Sequence, residues 1–267
     1  MTDLFVRELG TGPPVLFVHG SVFDGSGTWA RQFPLAERFR LLIPDRRGYG
    51  DSPDAEREDF EIDAIDIAEL LGGGAHLVGH SYGGVIALLA AAHRPGAVRS
   101  LTVIEPPAFG LVRGVPAVEA MLVGLQTWAD TMAGADPEAL LVSFMTMVGG
   151  DPARLPRPLS SALLRGAKML AHERSPVEAE IPLDVLSATS FPKLVVSGGH
   201  SARFDAVCDV LERRLPAERV IIPGRGHAVQ MTGDAFNERL SAFILAAEAA
   251  LPSRARPNDS TRPHPAI

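Results

Sequence analysis

A serine between two glycines and a histidine on a glycine-flexed loop are the residues of this chain best suited to do chemistry together. The first lies in Gly79-His80-Ser81-Tyr82-Gly83, the second in Pro223-Gly224-Arg225-Gly226-His227. A serine hydroxyl is a weak nucleophile near neutral pH and needs an adjacent base. An imidazole can take the hydroxyl proton and later hand it to a leaving group. An apolar run precedes Gly79, and a small-residue helical pattern starts at Tyr82. That context places Ser81 on a tight strand-to-helix turn, a nucleophile elbow of the G-x-S-x-G type. Flanking glycines let the strand and helix backbones approach closely. The new helix N-terminus offers N–H groups and partial positive charge to an oxyanion.

An oxyanion needs two donors. The backbone N–H of Tyr82 is one. The second comes from the loop His19-Gly20-Ser21-Val22, which follows the apolar run Val15–Val18. Gly20 permits a turn that aims the N–H of Ser21 into the site, with Val22 as the alternative. The other histidines offer less. His80 is expected to point away from the nucleophile, His76 opens a strand, and His93 and His172 fall on helix surfaces.

These residues need a frame. Short Val/Ile/Leu runs alternate with longer helical patterns, the signature of parallel strands joined by crossover helices. The strands read as Val15–Val18, Phe39–Pro44, His76–Gly79, Ser100–Glu105, Lys193–Ser197 and Arg219–Ile222, with an opening strand near Phe5–Glu8. Near-continuous apolar runs of this kind imply a sheet covered on both faces. Helices are expected near Thr28–Arg38, Ile62–Leu71, Tyr82–His93, Phe204–Leu215 and Ala235–Ala250. Pro13 and Pro14 suggest a shortened N-terminal edge. The alternation lapses between Ala108 and about Leu186, a stretch with Met121, Met132, Met145, Met147 and Met169. It reads as a helical lid over the edge that carries Ser81. Most of these methionines pack helix on helix, and a Met-rich surface also suits an apolar substrate cavity. The expected organisation is a core of residues 1–108 and 187–251, a lid of residues 109–186, and a disordered tail of residues 252–267.

With 267 residues, 46% of them hydrophobic, the chain can bury one large core without disulfides. No apolar run reaches the roughly 20 residues of a membrane span, and no signal peptide is visible. The single Cys208 reads as a packing residue and fits a reducing cytoplasm. No Cys/His spacing suits zinc. A net charge of −7 gives no basic excess for nucleic acid. The expected partner is a small-molecule substrate, and the sequence assigns no oligomeric state.

His19-Gly20, the loop Asp45-Arg46-Arg47-Gly48-Tyr49-Gly50-Asp51-Ser52, Gly79–Gly83 and Gly224–His227 occur in an order and spacing that resembles the α/β-hydrolase superfamily. The resemblance covers about residues 5–250. It implies an α/β-hydrolase fold: a mostly parallel central sheet flanked by helices, with a helical lid inserted after the strand ending at Glu105. It implies a cofactor-free serine hydrolase that forms an acyl-enzyme, with Ser81 as nucleophile, His227 as base, and Tyr82 and Ser21 at the oxyanion. The expected substrate is a small, apolar carboxylic ester, lactone or thioester. A serine disfavours the dehalogenase and epoxide-hydrolase branches, which use aspartate there. In this resemblance the Asp45–Ser52 loop mainly shapes the fold, and its charges take no catalytic role.

The chain departs from the family's pattern at the triad acid. Most relatives carry an aspartate shortly after the strand corresponding to Lys193–Ser197, a position that falls on Ser201 here. Asp205, one turn later, reads as a helix N-cap. Some relatives carry the acid on the neighbouring strand, where this chain has Glu105. A carboxylate ending an apolar strand needs a partner, because an unpaired buried charge costs several kcal/mol. The order Ser81, Glu105, His227 fits nucleophile, acid, base. Glu105 is the preferred acid, Asp205 and a dyad without an acid the alternatives. A ligand-binding or natural-product-tailoring protein with an altered or idle triad is the competing functional reading.

Overall fold

A computed structural model describes residues 2–132 and 134–251. The tail read as disordered, residues 252–267, lies outside the described residues. Seven strands form one sheet: β1 (Val6–Leu9), β2 (Pro14–Val18), β3 (Arg40–Pro44), β4 (Ala75–His80), β5 (Val98–Ile104), β6 (Lys193–Ser197) and β7 (Ala217–Ile221). Their order across the sheet is β1-β3-β2-β4-β5-β6-β7. Only β1 runs antiparallel to its neighbour, β3; all other pairs are parallel.

Helices α1 (Gly25–Trp29), α2 (Phe60–Leu70) and α3 (Tyr82–His93) link the first strands. Four more, α4 (Pro116–Met132), α5 (Pro137–Met147), α6 (Ser161–Leu170) and α7 (Leu183–Ser187), lie between β5 and β6. Then come α8 (Ala202–Arg214) and α9 (Asp234–Ala250). Strand side chains alternate between the two faces, as the two-residue pleat requires. Leu16, Val18, Leu77 and Val103 join a core under α2, α3 and α8. Val15, Phe17, Val78 and Ile104 join another with Trp29 and with Phe236 and Leu240 of α9. Both faces are therefore dry, and the loops at the strand ends are left to carry the polar chemistry.

Three local expectations need correction. The helix expected over Thr28–Arg38 is α1 followed by successive 3-10 turns, Ala30–Glu37. Pro34 inside that stretch has no N–H and clashes with the preceding turn, so a regular α-helix cannot continue through it. The last strand starts two residues earlier, at Ala217, and is only half-buried, with Ile221 exposed, because it forms the sheet's edge. Asp205 is not an N-cap. Ser201 holds that place, and Asp205 sits within the first turn of α8.

Candidate active site

Ser81 follows β4 directly, and its backbone takes φ 54° and ψ −128°. A non-glycine residue in that region is strained by about 1–3 kcal/mol and persists only where its surroundings enforce it. A Cβ on Gly79 would strike the Gly83 carbonyl, and one on Gly83 would strike the His19 carbonyl. The elbow therefore needs both glycines for close approach. Among the described residues two more non-glycines have positive φ: Val22 at 75° and Glu105 at 43°. All three stand at C-terminal strand ends on the same sheet edge, where open α/β sheets gather their ligand-binding groups.

The strand ends bring Ser81, His227 and Glu105 into one hydrogen-bonded row. His227 Nε2 lies 2.9 Å from Ser81 Oγ, and His227 Nδ1 lies 2.7 Å from Glu105 Oε2. With Nδ1 protonated, the ring donates to the carboxylate and presents Nε2 as acceptor to the serine hydroxyl. Glu105 is fully buried. Its Oε1 accepts the Gly198 N–H at 2.7 Å, and His200 Nδ1 stands 3.2 Å away. Burial raises the Glu105 pKa, and the Gly198 N–H opposes that rise. Burial lowers the His227 pKa, with His200 and Arg203 adding to the shift. Phe204 stacks on the His227 ring at a centroid distance of 4.3 Å.

Asp205 is engaged elsewhere. Ser197 Oγ donates to its carboxylate at 2.7 Å, and Arg219 pairs with it at 3.1 Å. Ser201 makes no side-chain capping bond. The loop after β6, where most relatives carry the acid, instead supplies Gly198 and His200 as partners for Glu105.

Around the expected oxyanion donors, the Val22 N–H is directed to Tyr49 Oη at 3.3 Å. The Ser21 N–H has no acceptor among the described residues. Arg46 fixes this loop from below. Its guanidinium donates to the carbonyls of His19, at 3.1 Å, and Gly20, at 2.9 Å. It also pairs with Asp63 at 2.7 Å and with Glu58. His19 is a buried neutral ring: Nδ1 donates to the Gly20 carbonyl and Nε2 accepts the Arg46 N–H at 2.9 Å. The loop read as shaping the fold thus reaches the site through Arg46.

Several residues here were passed over or misjudged in the sequence. His80 does more than sit in the elbow. Its Nε2 meets the His227 carbonyl at 2.9 Å, and its ring packs 4.9 Å from that of His227. Burial pushes its pKa down to about 3, so it is a neutral donor that fixes the His227 backbone. His200 carried a legible signal, since it follows Gly198-Gly199 at a strand's C-terminal end, much as His227 follows Gly226. Glu173 and Arg203 carried none.

A cavity of about 480 Å³ opens on this row. Ser21, Ser81, Tyr82 and His227 form its sheet side; Met121, Leu125, Trp128, Phe144 and Met147 of α4 and α5 supply apolar wall. Helices α5 and α6 share a small core of their own, in which Leu140, Leu141 and Leu163 pack with Val22. Among the described residues no group of three or more His, Cys, Asp or Glu side chains is arranged to hold a metal ion. No described helix is long and apolar enough to cross a membrane.

The sequence model of the Alpha/beta hydrolase family matches residues 15–239. Over 177 residues, 66% of each chain, the sequence is 35% identical to a pimeloyl-[acyl-carrier protein] methyl ester esterase of Methylococcus capsulatus. Over 246 residues, 85% of each chain, it is 30% identical to a 2-(acetamidomethylene)succinate hydrolase of Mesorhizobium japonicum. The crystal structure of an alpha/beta hydrolase from Sphaerobacter thermophilus superimposes with a TM-score of 0.68 at 27% identity, covering 90% of this chain and 96% of that one.

Proposed function

The chain belongs to the Alpha/beta hydrolase family, and from that premise we propose that it is a serine hydrolase cleaving a carboxylic ester, lactone or thioester through an acyl-enzyme. The observation that carries this reading is the row Ser81 Oγ, His227 Nε2 and Nδ1, Glu105 Oε2, with separations of 2.9 and 2.7 Å. Two of the relatives described above are named for hydrolysis, one of them a methyl ester esterase.

In this scheme Ser81 Oγ attacks the acyl carbon while His227 Nε2 takes its proton. Glu105 holds the Nδ1–H tautomer and stabilises the imidazolium that forms. The N–H groups of Tyr82 and Ser21 receive the oxyanion, where preorganised donors act without reorganising. Collapse of the tetrahedral intermediate expels the alcohol or thiol, which takes the proton from Nε2. Water, activated by the same imidazole, then releases the acid and frees Ser81. Residues 109–186 act as a cap whose apolar wall selects a small, mainly apolar substrate. The buried, lone Cys208 suits a reducing cytoplasm.

The competing reading, a binding protein with an idle triad, drew on the missing acid at Ser201. The Glu105–His227 hydrogen bond argues against it. Labelling with a fluorophosphonate tests the proposal: intact protein should be modified at Ser81 and should hydrolyse p-nitrophenyl esters, and Ser81→Ala should do neither. An unlabelled intact protein without esterase activity would end this reading.

A further inference from the structure

Arg203 stands in the wall of the cavity that opens on Ser81, and also borders an adjoining cavity of about 460 Å³. Among the described residues its guanidinium makes one hydrogen bond, from a terminal N–H to the Met147 carbonyl at 2.7 Å. Its Nε is buried without a partner. Among the described residues no carboxylate lies within ion-pairing distance of it. Glu105, whose charge it feels, is already committed to His227, Gly198 and His200.

The other titratable groups on the cavity wall do not balance this charge. Glu178 is paired with Arg174 at 3.2 Å. Glu173 accepts from Ser21 Oγ, and burial together with the neighbouring Glu58 carboxylate raises its pKa well above the ordinary carboxylate value, which disfavours the charged form. His227 is a lowered, neutral imidazole. A guanidinium stays protonated even when burial lowers its pKa. Arg203 also lies in the first turn of α8, where the helix dipole disfavours a cation. The cavity wall thus holds one positive charge without a paired carboxylate, favoured only by the Phe204 ring, 5.6 Å from the guanidinium carbon, and by the charge of the committed Glu105.

We propose that Arg203 binds a carboxylate carried by the substrate away from the scissile bond, so that the natural substrate is the monoester of a dicarboxylic acid or a similar anionic ester. The proposal rests on the ester-hydrolase reading and narrows it to a substrate class. Charge-assisted hydrogen bonds from arginine to carboxylate are stronger than neutral ones and can be bidentate, and the unused N–H groups of Arg203 match that demand. The rest of the cavity accepts the methylene chain between the two functional groups.

Binding to Ser81→Ala protein tests this without turnover. Monomethyl and dimethyl esters of glutarate, adipate and suberate would be titrated by calorimetry, since each pair differs only in the second carboxyl group. At one or more chain lengths the monoester should bind at least about tenfold more tightly than its diester. Adding Arg203→Met should collapse that ratio, and Arg203→Lys should restore part of it. Arg203→Gln, which keeps a donor for the Met147 carbonyl, should behave like the Met variant and serves if Met disturbs folding. Equal binding of monoester and diester at every length, no binding of any monoester, or a preference that survives loss of the arginine would each overturn the proposal. Fluorophosphonate labelling of the unmutated Ser81 reports separately on the hydrolase reading, so the two can fail independently.

Discussion

Glu105 reaches His227 across the end of an intervening strand. Its Oε2 stands 2.7 Å from His227 Nδ1, while its Oε1 takes the Gly198 N–H just beyond β6, also at 2.7 Å. The carboxylate that follows β5 therefore meets the imidazole beyond β7 by passing over the loop after β6, where most relatives in the family carry their acid. That loop has become a donor to the carboxylate. The positive φ of Glu105, 43°, is the local strain that goes with this placement.

Replacing Glu105 by Gln keeps the shape but removes the charge proposed to hold the imidazole tautomer and stabilise the imidazolium. The acylation rate should fall by about two to four orders of magnitude, measured by stopped-flow release of p-nitrophenol. A change under threefold would remove Glu105 from the acid's role.

Asp205→Asn should leave the acylation rate within about threefold, because Asp205 bonds to Ser197 and Arg219 and not to His227. It weakens a partly buried ion pair, and stability should drop by about 1 kcal/mol. Urea unfolding followed alongside esterase assays separates the two effects. A rate loss comparable to that of Glu105→Gln would reverse the assignment of the acid.

Much of this arrangement was legible in the sequence, for identifiable reasons. Ser81 sits where an apolar strand meets a small-residue helix, so its turn is written in local composition. His227 follows a strand and two glycines, and Glu105 is a charge that ends an apolar run. What local reading misses is contact between segments far apart in the chain. Nothing near Arg46 announces that its guanidinium holds the His19 and Gly20 carbonyls. Nothing near Glu173, in a helical insertion, announces that Ser21 donates to it. Arg203 looks like any cation on an amphipathic helix until the cavity wall is seen. Pro34 is a local break within Thr28–Arg38, the stretch expected to be helical.

The pH dependence has two parts with a common cause. In the proposed reaction His227 acts as a base, and its pKa is lowered from 6.5, so kcat/KM on a neutral ester should hold steady through pH 6.5 and fall only at lower pH. A limb at or above 6.5 would contradict the burial of this ring. His19 and His80 are likewise lowered, the latter to about 3. Their unfolded counterparts take up protons below 6.5 while the folded rings do not. Stability is thus complete above 6.5 and declines as pH falls from there toward the folded pKa values, by up to about 1.4 kcal/mol per pH unit for each ring. Denaturant melts at several pH values below and above 6.5 measure this slope.

Gly166→Ala probes the contact between α6 and the loop after β2. A Cβ at Gly166 would collide with the Val22 carbonyl, so the loop or the helix must move. Displacing Val22 shifts the Ser21 N–H beside it, the proposed oxyanion donor, and loss of one such donor lowers kcat by about 100-fold or more. The expected result is a drop of at least tenfold in kcat with a smaller change in KM. Unchanged kinetics in a folded variant would mean that the loop tolerates the shift.

Arg46→Met leaves Glu58 and Asp63 as buried carboxylates without their cation. Breaking such a network costs about 3–5 kcal/mol, which should appear as a large fall in the urea midpoint. A loss under about 1 kcal/mol would show that Arg46 is not the anchor of the His19–Gly20 turn.

In the proposed reaction Ser81 carries the acyl group after His227 removes its proton. Rapid mixing with p-nitrophenyl acetate, acid quenching and mass spectrometry of the peptides test it directly. Acetyl should appear on the Ser81 peptide within the first turnover and be lost in His227→Ala. First-turnover hydrolysis of the ester with no acyl group on that peptide, in quenched samples that retain the full chain, would contradict it.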